Sequence, residues 1–159
     1  MFSNILMAYD GSPTSLHALK QAIELVRSLS ARLRIVHVID MGWLPISPEV
    51  AIDMEALAKA RRSSGEKILS AARELAQAAG VEAETKIAET ANPAHHAAES
   101  IAEEAASWPA DLVVLGTHGR RGLERLLLGS VADQMTRLSS VPVLLVPLAK
   151  VTNKDEGTS

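Results

Sequence analysis

The chain has 159 residues, a length that predicts one domain with a sizeable core, and it has no cysteine, which excludes a disulfide framework, a thiol nucleophile and a cysteine-ligated metal centre. Sixteen Lys and Arg against nineteen Asp and Glu give a net charge of −3, and aromatics make up only 3%. A strongly basic nucleic-acid footprint is absent, and so few aromatics argue against a set of base-stacking platforms.

Ile5 to Tyr9 is a continuous apolar run that stops at Asp10-Gly11-Ser12-Pro13, the pattern of a buried strand delivering its end into a turn. Ser12 then serves as a helix N-cap with Pro13 at the first helical position, and Leu16, Leu19, Ile23 and Val26 form one apolar stripe on a helix ending near Leu29. Leu33 to Ile39 gives a second strand, followed by a loop from Asp40 to Pro48. From Glu49 to Ala79 the composition predicts a long helix stopped by Gly80, with Ile52, Leu57, Ile68, Ala72 and Leu75 inward and a bend or break at Ser63-Ser64-Gly65. Val81, Ala83, Thr85 and Ile87 alternate with charged residues, as a strand near a sheet edge does.

Asn92-Pro93 reads as the cap of a third helix running through Ser107, with Ala94, Ala98, Ile101 and Ala105 on its apolar side. Asp111 to Leu115 is the most apolar strand and runs directly into Gly116. Ser130 reads as the cap of a last helix with Val131, Met135 and Leu138 inward, and Val143 to Val146 completes the sheet. Five strands alternating with four helices and no linker predict a single α/β domain over residues 1–148, with a mainly parallel, doubly wound sheet. A polar tail over 149–159 is expected to be disordered. The N-terminus lacks a basic leader segment, and the longest apolar run, Val141 to Ala149, is about half a membrane span. The expectation is a cytoplasmic protein with no membrane or nucleic-acid partner.

Gly116-Thr117-His118-Gly119, nine further residues, and Gly129-Ser130 at a helix start join a strand end, a glycine loop and a helix N-terminus. Glycines let backbone N–H groups approach phosphate oxygens closely, and the helix start adds its dipole and unpaired donors. Arg120, Arg121 and Arg125 make this loop locally positive within an acidic chain, so an anion site is the simplest reading. A Walker A loop is missing because no Gly-Lys pair occurs, and the Rossmann G-x-G-x-x-G spacing is missing as well.

The opening Ile5 to Ser12, the Val36-His37-Val38 strand end, the Asp111 to Gly116 strand, the G-x2-G-x9-G-[ST] loop from Gly116 to Ser130 and the closing Val141 to Val146 resemble the universal stress protein family, in its nucleotide-binding branch, over residues 3–148. The resemblance implies strand order 3-2-1-4-5 and a bound ATP, ADP or AMP, with Mg²⁺ or Mn²⁺ on the phosphates. It implies that Ala8 and Asp10 line the adenosine side, that Val38 meets the adenine ring, and that Gly116, His118 and Gly119 border ribose and phosphates. Gly129, Ser130, Val131 and Ala132 close on the phosphates, while a phosphate role for Arg120 rests on charge and position. The family also implies a homodimer through the last strand, and Val143 to Val146 would indeed be an apolar sheet edge, a surface that proteins pair or cover.

Plainer roles compete at several positions. Gly116, Gly119 and Gly129 permit close packing, Asp10 suits an Asx turn, and Ser130 suits a cap without a ligand. His17, His37, His95 and His96 have no metal-ligand spacing, the Arg61-Arg62 and Glu103-Glu104 pairs read as solvated helix faces, and the Trp43 loop reads as packing. With no compelling general base or nucleophile, the expectation is an adenine-nucleotide-binding stress-response module with at most slow ATP hydrolysis. The alternatives are a true ATPase or phosphotransferase using Asp10, His118 and the arginines, and a nucleotide-independent interaction dimer.

Overall fold

A computed structural model describes residues 1–40, 53–90, 96–118 and 128–148. The elements alternate as β1 (Asn4–Ala8), α1 (Pro13–Leu29), β2 (Arg32–Ile39), α2 (Met54–Ala78), β3 (Ala83–Glu89), α3 (Ala97–Ser107), β4 (Leu112–Gly116), α4 (Ser130–Leu138) and β5 (Val143–Val146). They form one five-stranded parallel sheet in the order β3-β2-β1-β4-β5, as expected. Strand β1 sits at the centre, with Ile5 in register with Leu33 of β2 on one side and Leu112 of β4 on the other. The chain winds outward in both directions from this pair, so a crevice opens beyond the carboxyl ends of β1 and β4.

Each sheet face carries its own core. Ile5 and Met7 point toward α1 and α2, where they pack with Leu19, Ile23, Leu33, Ile35 and Leu69. Leu6 points the other way, joining Val36, Ile101, Val113, Leu115 and Met135 beneath α3 and α4. The continuous apolar runs of β1 and β4 follow from this burial on both sides.

Helix α1 starts as its sequence predicts, because the Ser12 hydroxyl oxygen accepts from the Ser15 N–H at 3.2 Å and Pro13 occupies the first turn. It ends on Ser30, held at φ 53°, a left-handed conformation more usual for glycine.

Other boundaries differ from the sequence pattern. Helix α2 is capped by Asp53 and runs unbroken through Ser63-Ser64-Gly65. Gly65 is buried in the sheet contact: a Cβ there would lie 3.0 Å from His37 Cδ2 and 3.3 Å from Ile39 Cδ1. It marks a close approach to β2 rather than a break. Ala72 is buried as expected, but Leu69 and Ala76 are the other large contributors, while Leu57, Ile68 and Leu75 are half-buried. Ile52 falls outside the described residues.

Helix α3 begins at Ala97, with His96 at its N-cap and no side-chain cap bond, and Asn92, Pro93 and Ala94 fall outside the described residues. In α4, Gly129 is the N-cap and Ser130 the first helical residue, correcting the expectation that Ser130 caps. Leu138 is 47% exposed instead of inward, and Ala132 and Met135 are the buried residues of the helix.

Two charged pairs expected on solvated faces are engaged instead. Glu104 is buried and accepts from Arg34 Nη1 at 2.6 Å, while Arg34 Nη2 and Arg32 Nη2 each donate to Glu84 at 2.6 Å. Both guanidinium groups lie over the Trp108 ring, Arg34 at 4.9 Å from its centroid. Hydrogen bonds and charge from Glu84 and Glu104 outweigh burial and raise the Arg34 pKa, while the Arg34 hydrogen bond lowers that of Glu84. Arg61 donates to the Asp40 carbonyl and Arg62 to the Glu89 carboxylate, tying α2 to the ends of β2 and β3. Among the described residues, no helix is long and apolar enough to cross a membrane.

Candidate functional site

The crevice beyond β1 and β4 is a cavity of about 300 Å³. Its floor comes from strand ends, Ala8 on β1, Val36 and Val38 on β2, and Leu115 and Gly116 on β4. Its walls come from Ala97 and Ile101 of α3 and Val131 and Ala132 of α4. Tyr9, Asp10, Ser15, Thr117, His118, Gly129 and Ser130 supply the remaining surface. The apolar side suits a flat base, and the polar residues gather where β1 and β4 hand the chain to helices.

Every strand end here turns on a specific contact. Tyr9 N–H donates to the Val36 carbonyl at 2.8 Å, prolonging the β1–β2 ladder by one bond. Asp10 Oδ1 then accepts from Ser12 N–H at 2.8 Å and from the Ser15 hydroxyl at 2.7 Å, an Asx turn that Gly11 completes at φ 80°. The Asx role weighed for Asp10 is therefore present, and the carboxylate also lines the cavity. Burial, followed by the Asp10 charge, raises the Tyr9 pKa above its ordinary value.

On the other side of the crevice, Thr117 N–H donates to the Val146 carbonyl, and the Thr117 carbonyl accepts from Gly129 N–H at 2.7 Å. That bond brings the start of α4 directly against the end of β4. The Thr117 hydroxyl and His118 Nδ1 share a hydrogen bond of 2.9 Å. Gly116 has a packing duty besides lining the cavity: a Cβ there would meet Thr14 Cγ2 at 2.8 Å and the Thr14 carbonyl carbon at 3.1 Å.

The two flanking helix starts differ. In α1 the Ser12 side chain already accepts a first-turn N–H, whereas α4 has Gly129 as its cap and no side-chain hydrogen bond. A glycine cap has no side chain to offer, and first-turn N–H groups have no partner within their own helix, so among the described residues no side chain occupies those of α4. Among the described residues, no three His, Asp or Glu side chains converge as a cation cage.

Of the residues expected at the site, the structure brings together Ala8, Asp10, Val38, Gly116, His118, Gly129, Ser130, Val131 and Ala132. Gly119 and Arg120 lie outside the described residues, as do Arg121, Arg125 and Trp43. Sequence reasoning missed Val36, Leu115 and Ile101, which it took as strand or helix-stripe residues, Thr117, which it placed in the glycine loop without a ligand role, and Tyr9, Ser15 and Ala97. The position of Val36 two residues before Val38, on the same strand face, was the available signal.

Comparison with known proteins agrees with this architecture. The universal stress protein family profile matches residues 1–147. The universal stress protein YxiE of Bacillus subtilis is 36% identical over 154 residues, covering 92% of this chain and 99% of its own. A universal stress protein family structure from Burkholderia pseudomallei superposes with a TM-score of 0.73 at 34% identity, covering 92% and 96% of the two chains. A universal stress protein solved in complex with cAMP gives a TM-score of 0.65 at 26% identity, covering 93% of this chain and 98% of that one. With the profile spanning nearly the whole chain and the same sheet order predicted and found, this protein belongs to the universal stress protein family.

Proposed function

We propose that the chain is an adenine-nucleotide-binding module, taking ATP or a related nucleotide, that acts through its bound state and hydrolyses ATP slowly at most. The observation that carries this is the unequal capping of α1 and α4. The first turn of α4, whose glycine cap leaves its N–H groups without a side-chain acceptor, adjoins the polar end of a cavity whose other end is apolar, an arrangement that suits a base joined to a phosphate. The complex of a related protein with cAMP supports an adenine nucleotide as the ligand class.

Val36, Val38 and Ile101 would hold the base, Asp10 the ribose hydroxyls, and the α4 amides with the Ser130 hydroxyl the phosphates. Gly119 and Arg120 would serve the phosphates as well, a role that rests on their place in the sequence motif alone. A divalent cation would be carried by the phosphates, with the side-chain oxygens of Asp10, Ser15, Thr117 and Ser130 lining the same cavity. The exposed leucines Leu144 on β5, Leu148 beyond it and Leu138 at the end of α4 support pairing of two copies along the β5 edge.

Calorimetric titration with ATP, ADP, AMP and cAMP, with and without Mg²⁺, tests the proposal. Ser130→Pro is the informative variant, because Gly129 at ψ 154° already has the extended backbone that precedes proline and the first helical position tolerates it. It deletes one N–H and the hydroxyl. Affinity should fall about tenfold or more while the melting temperature stays put. Failure of every nucleotide to bind, or unchanged binding by the variant, overturns the proposal. Phosphate release above about one per second at saturating ATP and Mg²⁺ would replace it with the enzyme alternative.

A further inference from the structure

His37 has no place in the cavity, yet its imidazole is buried at 8% exposure directly behind the turn that leads into it. Its Nδ1 lies 2.9 Å from the Tyr9 carbonyl oxygen. A carbonyl oxygen only accepts, so Nδ1 carries the proton and donates. That carbonyl immediately precedes Asp10, whose side chain takes the Ser12 N–H and the Ser15 hydroxyl. The ring's far edge meets α2, where a Cβ on Gly65 would lie 3.0 Å from Cδ2 and 3.6 Å from Nε2. One helical turn of contact away, a Cβ on Gly11 would lie 3.7 Å from Ile68 of the same helix. The β1–α1 turn is thus gripped from behind by α2, through His37 at one end and Ile68 at the other.

We propose that His37 is a positioning residue for the nucleotide site, acting through the Tyr9 carbonyl to fix the peptide that aims the Asp10 carboxylate, with Gly65 of α2 holding the imidazole in place. The proposal rests on the nucleotide-binding function above. Histidine suits the place because its ring spans from the α2 contact to the carbonyl while keeping a donor aimed at it. Leucine fills similar space without a donor and leaves a buried carbonyl unpaired. Asparagine keeps a donor attached at Cγ, as Nδ1 is in histidine, and withdraws from Gly65.

The test compares His37→Leu, His37→Asn, Gly65→Ala and the His37→Asn/Gly65→Ala pair by ATP titration and by amide hydrogen exchange. His37→Leu should bind ATP about tenfold more weakly and exchange the Ser12 and Ser15 amides faster, with the central β1 amides unchanged. His37→Asn should restore most of both. Gly65→Ala should weaken ATP binding by pressing on the ring, and the same change in the His37→Asn background should weaken it much less, because the asparagine has left that space and only the Ile39 Cδ1 contact at 3.3 Å remains.

Equal loss of affinity in His37→Leu and His37→Asn, unchanged Ser12 and Ser15 exchange in His37→Leu, or an undiminished Gly65→Ala effect without the imidazole each overturns the inference. If the wild-type chain binds no adenine nucleotide, the functional proposal falls, and the exchange pattern alone decides whether His37 holds the turn. Should His37→Leu fail to fold, the Gly65→Ala series with and without His37→Asn decides it.

Discussion

Gly116→Ala probes the closest approach at the crevice. The added Cβ would lie 2.8 Å from Thr14 Cγ2, inside any real carbon contact, and 3.1 and 3.2 Å from the Thr14 backbone carbon and oxygen. Thr14 is 7% exposed and its β-branched side chain is restricted at χ1, so the methyl has little room to swing clear. Overpacking of this kind costs about 1–3 kcal/mol, so a loss near 2 kcal/mol and a melting temperature lower by about 4–8 °C are expected. Thr14→Ser removes the offending methyl at a cost of about 1 kcal/mol of buried apolar surface.

If steric contact is the cause, the double variant should lose only about 1.5 kcal/mol rather than the sum of about 3 kcal/mol. Urea unfolding followed by circular dichroism reads all four proteins at one temperature. Additive losses, or a Gly116→Ala protein as stable as wild type, would refute the steric explanation. The result also governs how a glycine-loop substitution is interpreted: loss of nucleotide binding in a Gly116 variant reports the α1–β4 contact as much as any ligand contact.

Ser30 is exposed and held at φ 53°, so Ser30→Gly should stabilise the chain by about 0.5–1 kcal/mol in the same urea assay. Glu84 has its pKa lowered by Arg34, so the folded state favours its ionised form; the resulting stability is present above about pH 4.5 and is lost as pH falls through the folded pKa. Glu84→Gln should flatten that acid limb, by no more than about 1 kcal/mol because the side chain is 41% exposed, as melting curves across the acid range would record. If two copies pair along β5 as proposed, Leu144→Arg on that edge should shift sedimentation from dimer toward monomer; a wild-type monomer, or a dimer that persists in the variant, removes β5 as an interface.

The sequence carried the order of elements and most of the cavity lining, because strand ends, Asp10-Gly11-Ser12 and Gly129-Ser130 are local signals. Helix α1 was legible from Ser12 to Leu29, since cap, proline and apolar period all agree. What escaped was set by distant partners. Gly65 looks like a helix breaker until β2 is placed against it, and Glu104 looks solvated until Arg34 arrives from a strand 70 residues earlier. Ser130 was misplaced by one position because glycine and serine both cap helices well, and the choice was made by the Gly129 bond to Thr117.

Val36, Ile101, Leu115 and Ala132 belong at once to the hydrophobic layer under α3 and α4 and to the cavity wall. Any change there that reshapes the cavity also removes or crowds packing that holds two helices on the sheet. Relatives on this scaffold that take different ligands are therefore expected to diverge in the connecting segments first and in this shared wall last. Conversely, a bound molecule resting on that wall acts as an additional packing partner, so occupancy should be read in the melting temperature, rising with the logarithm of ligand concentration.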